Sequence, residues 1–268
     1  MLLSIITINY NNKEGLEKTI PSVLMQKGIP ADNLEYIIID GGSSDGSVDV
    51  IQKYLNNDDY PHKIKKWVSE KDSGIYNAIN KGIKMASGDL IGLVNSGDTL
   101  IYGAYDNILS LYEENPDSIL YGAVSFNKNG RFEKVHGFSS DQLSVQMIAH
   151  PASFVPKKIY SEYGLYDESF RCSADWDLFL TFYQAGIPFI YIDKLIIDFD
   201  TDGISNTNNK LVTSENKRVL KNHGIKTFSL TRLLKSILSF LLPGFCISFI
   251  KLLAKIFISL KRYCESLL

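Results

Sequence analysis

Leu2-Leu3-Ser4-Ile5-Ile6-Thr7-Ile8-Asn9-Tyr10-Asn11-Asn12 carries the reading of the fold. From Leu2 to Ile8 the run is almost wholly apolar and rich in β-branched residues, the composition of a parallel strand buried on both faces. It then gives way to amides. Asn12 can cap a helix whose apolar stripe is Leu16, Ile20, Val23 and Leu24. Further apolar runs at Glu35 to Ile39, Ile64 to Val68, Leu90 to Val94 and Ile119 to Phe126 alternate with stretches of helical period at about 47–56, 74–86 and 102–114. Strand and helix in alternation predict a doubly wound α/β sheet flanked by helices.

After Phe126 the pattern changes. Asn129-Gly130 lies between two short runs and reads as a hairpin turn. A helix from about Asp175 to Gln184 is expected to end at Gly186 and Pro188, followed by a strand from Phe189 to Ile197, a polar loop, and a helix ending at Gly224. With 268 residues, 45% hydrophobic and 12% aromatic, the chain suits one principal domain with an appendage. The expected division is a domain over 1–225, with halves 1–125 and 126–225, and a tail over 226–268.

The three cysteines, Cys172, Cys246 and Cys264, form no CxxC pair, which argues against a disulfide framework or a zinc knuckle. The opening residues lack the basic start and cleavage site of a secretory signal, so a reducing, cytoplasmic setting is expected. Net charge is −2, unevenly spread: seven basic residues and one acid give the segment from Lys226 onward +6, and the remainder carries −8. An acidic body with a basic tail does not suit a nucleic-acid binder.

In an open α/β sheet, ligands sit beyond the carboxyl ends of the strands. The first strand delivers Thr7-Ile8-Asn9-Tyr10-Asn11-Asn12, the second Asp40-Gly41-Gly42-Ser43-Ser44-Asp45-Gly46, the third Ser69-Glu70-Lys71-Asp72-Ser73-Gly74, and the fourth Asn95-Ser96-Gly97-Asp98. Any one of these alone is a plain turn, since turns use the same residues. Four in succession point to a ligand site. There is no GxGxxG after the first strand and no GxxxxGK[ST], which argues against a dinucleotide oxidoreductase and a phosphate-loop hydrolase. What remains is a nucleotide site of carboxylates and amides, with Asp98 available to a hard cation such as Mg²⁺ or Mn²⁺.

The run Ser4-Ile5-Ile6-Thr7-Ile8-Asn9-Tyr10-Asn11, the block Ile39 to Gly46, the block Asp72-Ser73-Gly74-Ile75-Tyr76-Asn77-Ala78-Ile79-Asn80-Lys81-Gly82, and Gly88-Asp89 through Asp98 together resemble glycosyltransferase family 2 of the GT-A fold, over about residues 1–205. The resemblance implies a Rossmann-like mixed central sheet and a nucleotide-sugar donor bound by Thr7, Asn9, Tyr10, Asp40, Asp72, Asn95, Ser96 and Asp98, with Asn80 and Lys81 near the phosphates. Asp98 matches the metal-binding segment. The chain departs from the family at Gly41, and at Asn95 and Gly97 in the fourth block, where many members carry acids.

Ser173-Ala174-Asp175-Trp176-Asp177-Leu178-Phe179-Leu180 is similar to the family segment that holds the general base, and Asp175 is the matching position. An attacking hydroxyl must lose its proton, and a positioned carboxylate contributes roughly 10² to 10⁴ in rate. An acid at a helix head also serves the helix dipole, and that is the plainer role for Asp177. By the same resemblance, His150 and Trp176 are expected to line the acceptor side. One base and one metal suffice for inverting transfer, without the paired carboxylates of a glycosidase.

Phe228 to Leu260 is strongly apolar, but Pro243-Gly244 splits it and Lys251 and Lys255 interrupt it. Neither part reaches the roughly 20 apolar residues of a spanning helix. Lys251, Lys255 and Arg262 recur at helical spacing, so residues 228–262 read as amphipathic helices lying on an anionic membrane, or else as a helical hairpin packed on protein. The expected function is transfer of a sugar, from a UDP-sugar above all, to a lipid-linked saccharide at the inner face of the membrane. Two other classes are weighed. A catalytically silent nucleotide-sugar binder or scaffold is suggested by Gly41 and Gly97, and a nucleotidyltransferase is disfavoured because no Gly-rich basic loop follows the first strand.

Overall fold

The apolar runs become strands and the periodic stretches become helices, in the order β1 (Leu3–Asn9), α1 (Lys13–Leu24), β2 (Leu34–Asp40), α2 (Ser47–Leu55), β3 (Ile64–Ser69), α3 (Ile75–Met85) and β4 (Leu90–Leu93). The computed structural model describes residues 1–55, 57–128, 131–136, 139–144, 146–200 and 209–225. The expected tail helices over 226–268 lie outside them. Residues Met1–Ile225 form one compact unit. Among the described residues no helix is long and apolar enough to cross a membrane.

Strands β1 to β4 are parallel, with Asn9 directly beside Asp40 and Asp40 beside Ser69. The second half adds β5 (Thr99–Leu100), α4 (Ile108–Glu114), β6 (Ile119–Lys128), β7 (Arg131–His136), β8 (Ser153–Pro156), α5 (Lys157–Tyr163), α6 (Ala174–Gln184), β9 (Phe189–Asp200) and α7 (Asn209–Asn222). The sheet runs β3-β2-β1-β4-β8-β6-β9-β5, with β7 on β6. Because β8 enters antiparallel between β4 and β6, the sheet is mixed. The expected hairpin is present as β6 and β7, paired up to Lys128 and Arg131.

Period-2 alternation divides the core in two. Leu3, Ile5, Tyr36 and Ile38 face one side with Leu16, Ile20, Val23 and Leu24 of α1 and Val50 and Ile51 of α2. Ile6, Ile8, Ile37 and Ile39 face the other, against Ile79 and Ile83 of α3 and the aromatic face of α6. Helix α1 begins as expected, with Asn12 Oδ1 accepting from Gly15 N at 3.0 Å. The helix expected over 102–114 is confined to Ile108–Glu114, because Asn107 adopts φ +68° and breaks the turn before it.

At the amino end of the sheet, Glu35 is 5% exposed and accepts from Ser4 Oγ, Ser87 N and Ser87 Oγ while pairing with Lys66 Nζ at 2.7 Å. Burial alone would raise its carboxyl, but the Lys66 ammonium and the serine donors outweigh burial and hold it at about 2. Its unfolded value is 4.5, so folding keeps Glu35 ionised more firmly than the open chain does. The resulting stabilisation, about 3 kcal/mol, is fully present above the unfolded pKa and is lost as pH falls toward the folded one. Urea unfolding of Glu35→Gln beside the parent chain is therefore expected to show a gap that shrinks by more than half between pH 6 and pH 3. An equal gap at both pH values would count against this account.

Candidate active site

Each strand end is locked to its neighbour by side-chain hydrogen bonds. Asp40, fully buried, accepts from Asn9 Nδ2 at 2.8 Å, Ser43 Oγ at 2.6 Å, Ser43 N at 2.9 Å and Ser69 Oγ at 2.6 Å. Burial pushes this carboxyl up, and the donors from Ser43, Ser69 and Asn9 overcome it and hold the pKa below its ordinary value. Asn11, at φ +47°, donates its N–H to Ser43 Oγ and accepts from Ser44 N, so the loops after β1 and β2 are one body.

The fourth strand end is fastened to α1. Asn12 Nδ2 donates to Ser96 O at 3.0 Å, and Thr19 Oγ1 donates to Asp98 O at 2.7 Å and accepts from Gly97 N at 3.0 Å. Asp98 N closes the turn on Asn95 O at 3.0 Å. Gly97 sits at φ +106°, where a side chain is strained, so this turn favours glycine there. Gly41 has a different reason. A Cβ there would lie 3.1 Å from both Tyr10 Cδ2 and Asp72 Oδ2, so the missing side chain lets those two groups approach the backbone closely. Tyr10 itself is 69% exposed.

Two buried amide oxygens, Asn9 Oδ1 and Asn95 Oδ1, have no hydrogen-bond partner among the described residues. Buried polar atoms are nearly always partnered, and these two stand at the mouths of β1 and β4. Asp98, 3% exposed, lies three residues beyond Asn95. A carboxylate and an orphaned amide oxygen in one turn are hard oxygen ligands that fit Mg²⁺ or Mn²⁺. Among the described residues no group of three or more His, Cys, Asp or Glu is placed to hold a metal. Such a cation would therefore need further ligands from a bound molecule.

On the third loop, Lys81 Nζ pairs with Asp72 at 2.5 Å and Glu70 at 2.8 Å, and these two carboxylates raise its pKa. Three expected site residues have different work. Thr7 is fully buried, its hydroxyl donating to Val94 O at 2.7 Å and bonded to Tyr36 OH at 3.0 Å, because its position in the strand points it into the α1 face of the core. Asn80 is bonded to the segment before α6: it donates to Tyr166 O and Glu168 Oε1, both at 2.9 Å, and accepts from Tyr166 N at 3.1 Å. Trp176 is 6% exposed, and its indole N–H is committed to Leu143 O at 2.7 Å.

Asp175 stands in the first turn of α6, half-buried, and accepts from Tyr76 OH at 3.3 Å. His150 is near, its Nε2 2.8 Å from Tyr166 OH and its ring edge-on to Tyr166 and Phe179. Burial lowers the His150 pKa against the opposing pull of Asp175, so the imidazole is neutral near pH 7. Asp177 is turned away toward α7, where it bonds His223 Nε2 at 3.1 Å. Sequence reading overlooked Glu215 of α7, which is 8% exposed and accepts from three consecutive backbone amides, Arg171 N at 2.8 Å, Cys172 N at 2.9 Å and Ser173 N at 3.1 Å. It also overlooked Tyr76, although that residue lies inside the third block. No local signal marks Glu215.

Mixed topology, four polar strand ends and an acid at the head of α6 define a glycosyltransferase of the GT-A type, and known proteins agree. The profile of glycosyl transferase family 2 matches residues 4–174, and the chain belongs to that family. An uncharacterized glycosyltransferase of Mycobacterium tuberculosis is 29% identical over 221 residues, covering 75% of this chain and 76% of the relative. A PGL/p-HBAD biosynthesis glycosyltransferase of Mycobacterium bovis is 25% identical over 211 residues, covering 77% and 80%.

Among solved structures, S. aureus TarS 1–349 in complex with UDP-GlcNAc superimposes with a TM-score of 0.68 at 15% identity, covering 84% of this chain and 66% of TarS 1–349. The mannosyltransferase PcManGT of Pyrobaculum calidifontis, in complex with GDP-Man and Mn²⁺, gives a TM-score of 0.56 at 15% identity, covering 74% and 56%. The chain thus spans somewhat less than two thirds of the length of these structures, which it matches in fold.

Proposed function

We propose that this glycosyltransferase inverts the sugar it moves, taking it from a nucleotide-sugar donor, a UDP-sugar above all, to a hydroxyl of a lipid-linked saccharide in cell-surface polysaccharide or glycolipid assembly. One observation carries the reading: the carboxylate of Asp175 is hydrogen-bonded to Tyr76, four residues after Asp72 of the donor loop. A base held against the donor loop is the minimum arrangement for single displacement at an anomeric carbon.

Asn9, Tyr10, Asp40 and Asp72 surround the slot for the nucleoside, with the free Asn9 oxygen ready to accept from it. Lys81 supplies positive charge beside Asp72, while Asn95, Ser96 and Asp98 close the far wall. Asp175 takes the proton of the acceptor hydroxyl as that oxygen attacks, and the nucleoside diphosphate leaves from the opposite face, which inverts the centre. Mn²⁺ or Mg²⁺ held by Asp98 and Asn95 Oδ1 would supply neutralisation of charge on the departing diphosphate. His150, neutral and beside Asp175, is the acceptor-side residue retained from the sequence reading. The tail over 226–268 is the membrane-docking appendage of a catalytic unit over 1–225, acting at the cytoplasmic face; its basic, apolar composition supports this, as does the glycolipid relative.

Purified full-length protein incubated with a panel of nucleotide sugars, Mn²⁺ or Mg²⁺ and a lipid-pyrophosphate sugar acceptor is expected to give a product heavier by one sugar, with the opposite anomeric configuration by NMR. Chelation with EDTA is expected to stop transfer, and Mn²⁺ or Mg²⁺ to restore it. Retained configuration would overturn inversion. Saturable donor binding with no turnover of any donor would favour the silent binder that Gly41 and Gly97 bring to mind.

A further inference from the structure

The donor loop runs without a break into α3, and one face of that helix grips the segment that bears Asp175. Asn77 Nδ2 donates to Glu168 Oε2 at 2.9 Å, and Asn80, one turn on, clasps Tyr166 and Glu168 as described above. Tyr76 completes the row. Its ring, 5% exposed, stacks on Tyr166 with centroids 5.7 Å apart and planes 14° from parallel, and its hydroxyl is aimed at Asp175 Oδ1. The hydroxyl thus donates to the carboxylate carried at the amino end of α6.

We propose that Tyr76 is a positioning residue for sugar transfer: its hydroxyl holds the Asp175 carboxylate aimed at the acceptor, and ties that aim to the donor loop that leads into α3. The proposal rests on Asp175 being the base. Burial and the Asp175 charge push the Tyr76 phenol far above its usual range, so it stays protonated and a donor wherever the protein is folded. The other titratable groups facing Asp175 are Tyr166, raised by burial and by Tyr160, His150, lowered by burial, and Cys172, raised to about 11 by burial and Glu215. All are uncharged at neutral pH. The bond measures 3.3 Å without substrate, and such contacts commonly tighten once substrate is bound.

Tyr76→Phe keeps the ring on Tyr166 and removes only the hydroxyl. Losing a donor to a charged group is expected to lower kcat roughly tenfold or more, measured with a UDP-sugar and a lipid-pyrophosphate sugar. The KM for the acceptor should stay within about twofold, so that the loss falls on kcat. Carbon-13 NMR of labelled Asp carboxyls at pH 7, with Asp175 assigned from the Asp175→Asn spectrum and the protein saturated with UDP, is expected to show the Asp175 resonance displaced by loss of its donor. UDP affinity should stay within about twofold, since the nucleoside slot does not include Tyr76. An unmoved Asp175 resonance, whatever happens to kcat, would overturn the positioning role. An active Asp175→Asn enzyme would instead overturn the base assignment. An inactive Asp175→Asn beside an unaltered Tyr76→Phe would leave the base standing and remove Tyr76 alone.

Discussion

Asp175→Asn is expected to lower the rate of sugar transfer by roughly 10² to 10⁴ while leaving donor affinity and unfolding midpoint close to those of the parent chain. The substitution preserves shape, and the amide oxygen can still accept from Tyr76 OH, which Asp175 Oδ1 accepts from at 3.3 Å. What is lost is the capacity to take a proton. The charge at the first turn of α6 also goes, but a helix-dipole contribution at a partly exposed position is only about 0.3 to 1 kcal/mol. That is too little to unfold the domain. Donor affinity should hold because Asp40, proposed to hold the nucleoside, is fixed by four hydrogen bonds from Asn9, Ser43 and Ser69, none of which involves α6. Calorimetric titration with UDP and a transfer assay on the same preparation separate the two effects. Wild-type transfer by the variant would remove Asp175 from the chemistry.

The parts of this architecture that sequence reveals are those set by local composition. Strands β1, β2 and β4 are buried on both faces, so they read as continuous apolar runs, and the helices of the first half show a clear apolar stripe. Strand β5 has two residues and β8 four, and both are defined by their antiparallel partners rather than by any pattern of their own. Helix α5, seven residues behind Pro156, is too short to show a period. At the site, polar strand ends announced a ligand pocket, but side-chain direction was hidden. Thr7, Asn80 and Trp176 have the right chemistry and sit in or beside the motifs, yet strand parity, the Tyr166 backbone and Leu143 O claim their polar groups. Asn9 and Asn95 stand in the same motifs and keep an oxygen free. Two of the departures from the family have local causes, positive φ at Gly97 and close approach of Tyr10 and Asp72 at Gly41.

Glu215 shows what a motif cannot reveal, because it acts 40 residues from the group it serves, and it carries the second large expectation. Glu215→Ala leaves the N–H groups of Arg171, Cys172 and Ser173 without their acceptor in a segment that is mostly enclosed. Hydrogen bonds to a charged group contribute about 1.5 to 3 kcal/mol each and are not additive, so a loss of about 3 to 5 kcal/mol is expected. Arg218 also grips this segment, through Ser169 Oγ at 2.6 Å, Asp167 Oδ2 at 3.2 Å and the Phe170 ring at 3.9 Å, but its pairing is exposed and contributes about 1 kcal/mol or less. It cannot replace the buried carboxylate. Ser173 Oγ is already committed to Asn216 Oδ1 at 2.8 Å and gives α6 no side-chain cap, so Glu215 supplies the acceptor for the N–H groups leading into that helix start, beside the acids Asp175 and Asp177 of its first turn. Asp175 lies two residues beyond Ser173, so loosening this corner disturbs the base before it disturbs the donor slot. The Ala variant should therefore unfold at clearly lower urea and lose more than tenfold in kcat with little change in UDP affinity, while Glu215→Gln, which retains one acceptor oxygen, should fall between. Wild-type midpoint and kcat in the Ala variant would mean that α7 does not hold the base in place.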